Sequence, residues 1–124
     1  MITTSNDNRR AYAYAAPVDM RKGFNGLHAL VRDHLGRELL EGDLFLFVSR
    51  NRIRAKVLLW DGTGICIYAK RLEKGRFACL WRENQDVVEL STSELGLFLE
   101  GCSLIGKMSL SPKPMDAKDF RLIS

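Results

Sequence analysis

The sequence predicts an α+β domain: an antiparallel β-meander of about five strands packed by two main helices. Apolar and polar residues alternate at period two through the middle of the chain, and apolar residues recur at helical spacing after Asp19 and after Ser91. At 124 residues the chain suits one core, burying roughly two-thirds of its unfolded surface. The expected division is a disordered tail over residues 1–10, one domain over 11–101 and a polar tail over 102–124.

From Ala11 to Ala15 tyrosines alternate with alanines, which predicts a short edge strand before Pro17. Asp19 is placed to cap a helix whose Phe24, Leu27, Leu30, Val31 and Leu35 share one face and whose stop is Gly36. Gly23 and Gly26 fall inside that helix, each costing about 1 kcal/mol relative to Ala, so burial of the apolar face has to hold it. Two helical glycines also suggest a backbone passing close by. Asp43 to Val48 is almost wholly apolar and reads as a central strand covered on both faces.

Over Arg52 to Trp60, Ile53, Ala55, Val57 and Leu59 face one way and Arg52, Arg54 and Lys56 the other. Asp61 to Gly64 is a turn by composition, and Ile65 and Ile67 then alternate with Cys66, Tyr68 and Lys70. A two-residue loop would put Lys56 opposite Ile67, whereas a three-residue loop pairs Lys56 with Tyr68 and Arg54 with Lys70. The longer loop is expected, because it separates a dry face from a cationic one. Arg76 to Trp81 and Val87 to Leu90 are expected to form a second hairpin around residues 83–86. Ser91 to Glu94 is a capping box, after which Leu95, Phe98 and Leu99 form an apolar stripe that Gly101 ends.

The charge is concentrated. Residues 49–82 hold nine of the nineteen Lys and Arg residues (Arg50, Arg52, Arg54, Lys56, Lys70, Arg71, Lys74, Arg76, Arg82) against only Asp61 and Glu73. That third of the chain carries a formal +7 and the remainder −3. A folded basic surface of this kind attracts a polyanion, and nucleic acid is the commonest inside a cell. Arg50, Arg52, Arg54, Lys56, Lys70, Arg71, Lys74 and Arg76 are the candidate DNA contacts, with Tyr68 as a stacking ring. The plainer reading is a solvated sheet face whose charges guard against edge pairing. Arg21 and Lys22 fall in the first turn of the predicted helix, where the macrodipole disfavours cations. They are candidate contacts for a ligand or an acidic partner or, more plainly, members of a salt bridge, for example with Asp19. Trp60 before the turn is either a packing residue or a partner contact.

Other chemistry finds little footing. His28 and His34 are six apart and point in different directions on a helix, so they do not share a metal. No nucleophile, base and orienting acid occur in recognisable context, and no Gly-rich loop follows a strand to open a helix. An enzyme is not expected, nor a cofactor. No apolar run approaches the roughly 20 residues of a membrane span, and the first residues lack the apolar centre of a signal peptide, so a cytoplasmic protein is expected. Cys66, Cys79 and Cys102 are odd in number and widely spaced, as for free thiols that serve as packing residues.

Three blocks carry a family resemblance: Pro17 to Leu27 (PVDMRKGFNGL), Leu59 to Gly64 (LWDGTG) and Lys70 to Phe77 (KRLEKGRF). In this order, with Leu99-Glu100-Gly101 closing the last helix, they closely resemble the accessory protein of insertion-sequence-66 bacterial transposable elements. That protein is the second reading-frame product, often called TnpB and distinct from the RNA-guided nuclease of that label. The resemblance runs from about Ala11 to Gly101. It departs after Phe77, where Ala78-Cys79-Leu80-Trp81 replaces the family's Trp-Pro tendency, and after Gly101, where the tail is longer and poorer in aromatics.

The resemblance implies a small non-catalytic protein that works with the transposase of the same element. The expected role combines the two lines: DNA, such as the element ends, held on the basic sheet face while other surfaces meet the transposase. The alternative is an adaptor that binds the transposase without touching DNA. A repressor that reads operator sequence is disfavoured, since no helix-turn-helix spacing with a basic second helix is visible.

Overall fold

A computed structural model describes residues 9–101. The expected C-terminal tail, Cys102 and the first eight residues of the expected N-terminal tail lie outside the described residues. Five strands, β1 (Ala11–Tyr14), β2 (Leu44–Val48), β3 (Arg54–Trp60), β4 (Ile65–Arg71) and β5 (Val87–Leu90), form one sheet in the order β4-β3-β2-β1-β5. Helix α1 (Phe24–Asp33) connects β1 to β2, and α2 (Thr92–Leu99) follows β5.

The fold is α+β, but the sheet is mixed. β1 pairs parallel with β2, because α1 carries the chain back between them, and antiparallel with β5. β1 is therefore an inner strand and not the edge its length suggested. Its alanines suit that place: Ala11 and Ala13 are completely buried beside Leu44, Leu46, Val88 and Leu90. Only β2, β3 and β4 form a meander. β2 is central and buried at all five residues, as its unbroken apolar run predicted.

Both sheet faces are covered. On one, Tyr12, Phe45, Phe47 and Leu58 meet Leu27 and Val31 of α1, with Val18 and Leu39. On the other, Val57 and the residues around β1 meet Leu95, Phe98 and Leu99 of α2 together with Phe77 and Leu80. The rings of Phe77 and Phe98 stack with centroids 5.0 Å apart.

The expected strand Arg76 to Trp81 and its hairpin do not form. Phe77 and Leu80 both enter the core, and a spacing of three cannot bring two residues to one face of a strand. Cys79 is carried outward and is exposed, so it is not a packing residue; Cys66 is half-buried, and both are free thiols. The segment is an irregular crossing tied by hydrogen bonds from Phe77 N to Arg52 O (2.6 Å) and from Arg82 N to Ala15 O (3.1 Å).

Helix α1 starts later than expected. Asp19 caps a turn and not the helix: its Oδ1 accepts from Arg21 N (2.8 Å), and Gly23 is the residue before α1. Gly26 alone of the two glycines lies inside the helix, and what comes close to it is the Lys22 side chain, 3.2 Å from where a Cβ would sit, not another backbone. Gly36 follows the helix with φ +63°.

The capping box of α2 forms as predicted, with Glu94 N donating to Ser91 Oγ (3.0 Å) and Ser91 N donating to Glu94 Oε1 (2.8 Å). Ser91→Ala is expected to cost about 1 kcal/mol in urea unfolding, because one N–H at the start of α2 loses its acceptor. A loss below about 0.3 kcal/mol would show that packing alone holds this helix.

Candidate functional site

The hairpin register places the cations. Arg54 pairs with Arg71, Lys56 with Ala69, Leu58 with Ile67 and Trp60 with Ile65, so the connection spans residues 61–64. The loop is one residue longer than the three-residue loop the sequence reading favoured. Its cause is the Asp61 carboxylate, whose Oδ1 accepts from Thr63 N (2.9 Å), Gly64 N (2.8 Å) and Thr63 Oγ1 (3.1 Å), while Oδ2 accepts from the Cys66 thiol (3.3 Å). Arg54 thus meets Arg71 and not Lys70, and Tyr68 meets Val57 on the opposite face.

Covering both faces leaves no open cationic wall. The cations instead collect at one end, in a groove between β3 and β4 and the strap formed by residues 17–22. Its larger part, about 680 Å³, is lined by Pro17, Val18, Asp19, Met20, Ser49, Arg50, Asn51, Ile53, Arg54 and Arg71. An adjoining recess of about 350 Å³ shares Met20, Arg54 and Arg71 and adds Lys56, Lys70, Ala55 and Ala69. The strap is docked by Val18 N donating to Val48 O (2.9 Å).

Five of the predicted DNA contacts, Arg50, Arg54, Lys56, Lys70 and Arg71, border this groove, although the register turns the Lys70 side chain to the face that carries Tyr68. The others do not border it. Arg52 lies in the turn before β3, at φ +59°, and its Nη1 donates to Phe77 O (3.0 Å). Tyr68 packs against the core on the α2 side, away from Arg54 and Lys56. Lys74 and Arg76 are exposed in the bend beyond β4. Sequence reasoning missed the strap, whose Pro17, Val18 and Met20 wall the groove. The Pro17 to Leu27 block was the available signal, but it was read as the start of a helix.

The cations differ in what they are free to do. Lys56 Nζ donates to the carbonyls of Met20 (2.7 Å) and Lys22 (2.9 Å), so it pins the strap to the sheet. Arg71 Nε lies 3.1 Å from Glu73 Oε2, an exposed pair. The guanidinium groups of Arg50 and Arg54 have no ion-pair partner among the described residues. Like charges opposite one another on neighbouring strands are destabilising, so Arg54 and Arg71 oppose the register that joins them unless an anion sits between.

Of the predicted partner contacts, Arg21 and Lys22 are exposed in the turn before α1 and not in its first turn. Arg21 Nη2 lies 2.7 Å from Asp19 Oδ2, the salt bridge the sequence allowed, and this hydrogen-bonded pairing lowers the Asp19 carboxyl to about 2. Asp19 therefore brings little uncompensated negative charge to the groove. Trp60 is half-buried against the core beneath α1. Among the described residues no group of three or more His, Cys, Asp and Glu is placed to hold a metal ion, and no helix is long and apolar enough to cross a membrane.

A mixed five-stranded sheet with a helix on each face and a basic groove at one end defines a small α+β protein. Comparison with known sequences is more specific. The profile described as IS66 Orf2 like protein matches residues 9–108, and the chain belongs to that family. It is 35% identical over 98 residues to uncharacterized protein y4hO of Sinorhizobium fredii, covering 78% of this chain and 84% of that one. It is also 43% identical over 61 residues to uncharacterized protein y4jC of the same organism, covering 49% and 52%. No solved structure matches. Family membership points to an accessory role in transposition.

Two outcomes follow from this geometry. Lys56→Met is expected to destabilise the fold by about 1–3 kcal/mol, since two carbonyls lose a charged donor, and to speed amide exchange in residues 20–22; unchanged exchange there would remove its pinning role. The Asp61 carboxyl is lowered from its ordinary 3.8 to about 2, chiefly by the N–H groups of Thr63 and Gly64. Its contribution to stability is then whole above pH 3.8 and lost as pH falls through about 2. Carboxyl NMR titration of wild type should show that low midpoint, and Asp61→Asn should abolish the loop's acid sensitivity.

Proposed function

We propose that this protein assists transposition by holding the phosphate backbone of DNA in the basic groove, while other surfaces meet the element's transposase. The observation that carries the reading is Arg54 set opposite Arg71 in a groove that Arg50 also lines. Phosphates between two guanidinium groups would relieve their repulsion and accept their hydrogen bonds. Lys56 supports the site by fixing the strap, and Lys22, exposed on that strap, adds positive charge. The binding expected is backbone-directed and tolerant of sequence.

If Arg50, Arg54 and Arg71 each meet a phosphate, log affinity for duplex DNA should fall against log salt with a slope of about −3. The double change Arg54→Ala with Arg71→Ala should flatten it by about two units, whereas Lys74→Ala with Arg76→Ala should leave most of it in place. An unchanged slope in the first variant sinks the groove as a DNA site. Retention on immobilised transposase at high salt, with no binding to element-end or unrelated DNA, would favour the adaptor.

A further inference from the structure

We propose that the open edge of β4 accepts an extended segment of a second protein as a sixth strand, one that runs from acidic to apolar side chains. This goes beyond DNA holding and uses a different surface.

β4 ends the sheet, so one side of its backbone has no strand beside it among the described residues. The bonds from Asp61 N to Gly64 O and from Leu72 N to Ile53 O fix the alternation along the β3–β4 ladder. Cys66, Tyr68 and Lys70 then turn their N–H and C=O groups toward β3, and Ile65, Ile67, Ala69 and Arg71 turn theirs outward. Edges of this kind are normally blunted by shortness, proline, a bulge or charge. β4 is seven residues long, pairs with β3 without interruption and has no proline. The opposite edge, β5, has only four residues.

Charge guards one end alone. Lys70 and Arg71 stand at the C-terminal end, whereas Ile65, Cys66, Ile67 and Tyr68 are each only partly buried. An antiparallel neighbour would pass the cations first and the apolar half afterwards. Carboxylates at its start and β-branched residues at its end complement both halves. Nucleic acid has no reason to use a row of alternating N–H and C=O groups, so this edge suits a peptide. A second copy is a poorer match: antiparallel pairing sets cations against the apolar half, and parallel pairing sets Lys70 and Arg71 beside their equivalents. Residues 102–124 carry four Lys and Arg against two Asp, which is the wrong sign.

The test uses the full chain, isotope-labelled, with a synthetic peptide Glu-Asp-Glu-Thr-Val-Thr-Val and its reversed sequence. The forward peptide should slow exchange of the outward amides of Ile65, Ile67, Ala69 and Arg71 and bind at least about tenfold tighter than the reversed one. Ala69→Pro removes an outward N–H without costing a β3 bond and should weaken binding at least about tenfold, while Ala69→Val should not. Equal binding of both peptides, no slowing at those four amides, or full binding by a folded Ala69→Pro protein would overturn the proposal. So would sedimentation showing that β4 edges pair between copies in a way Ala69→Pro abolishes.

Discussion

The β3–β4 register is the constraint on which the rest of the molecule depends, and a single carboxylate sets it. By accepting from the N–H groups of Thr63 and Gly64, Asp61 makes the connection four residues long. Side chains on paired strands share a face only when the register puts them opposite, and a slip by one residue exchanges the faces. The Asp61 loop therefore decides that Leu58 and Ile67 lie together under α1, that Tyr68 lies on the α2 side, and that Arg54 confronts Arg71. It also raises the Cys66 thiol's pKa, because a proton shared with the carboxylate resists removal.

Covering both faces of the sheet then fixes where a basic site is able to exist. Arg54 and Lys56 follow the parity expected of them, yet α1 and its strap lie over that face. Lys56 is drawn inward to satisfy two strap carbonyls, and the sheet's own helix occupies the place where a flat cationic wall would have been. Only the end of the face beyond α1 is open. The groove is a consequence of the β1-α1-β2 crossover, since the strap that walls it is the connection from β1 into α1.

Much of this was legible in the residues, and the failures share a cause. Periodicity and capping chemistry are local, so the α2 box, the buried run of β2 and the parity along β3 could all be read directly. Pairing partners are not local. Ala11 to Tyr14 looks like a weak edge strand because nothing nearby in sequence says that Leu44 to Val48 and Val87 to Leu90 flank it. Residues 76–81 carry strand-forming types, but Phe77 and Leu80 are committed to one core by contacts with Phe98, a residue outside any window around them. The family blocks cover the strap, the hairpin loop and the end of β4, whereas Ser49 to Arg54, which complete the groove, fall outside them.

Arg71 is where the two surfaces meet, and its geometry keeps them separate. Its side chain shares a face with Arg54 and lines the groove, while its backbone N–H and C=O turn outward along the free edge of β4. A phosphate approaching the guanidinium and a strand approaching the backbone come from directions about a right angle apart, since side chains stand roughly perpendicular to the sheet while ladder bonds lie within it. An acidic residue at the start of an added strand would still compete for the Arg71 charge. The two occupants are then sterically compatible and electrostatically antagonistic. On the reading proposed above, DNA held in the groove would loosen as a strand docked on β4.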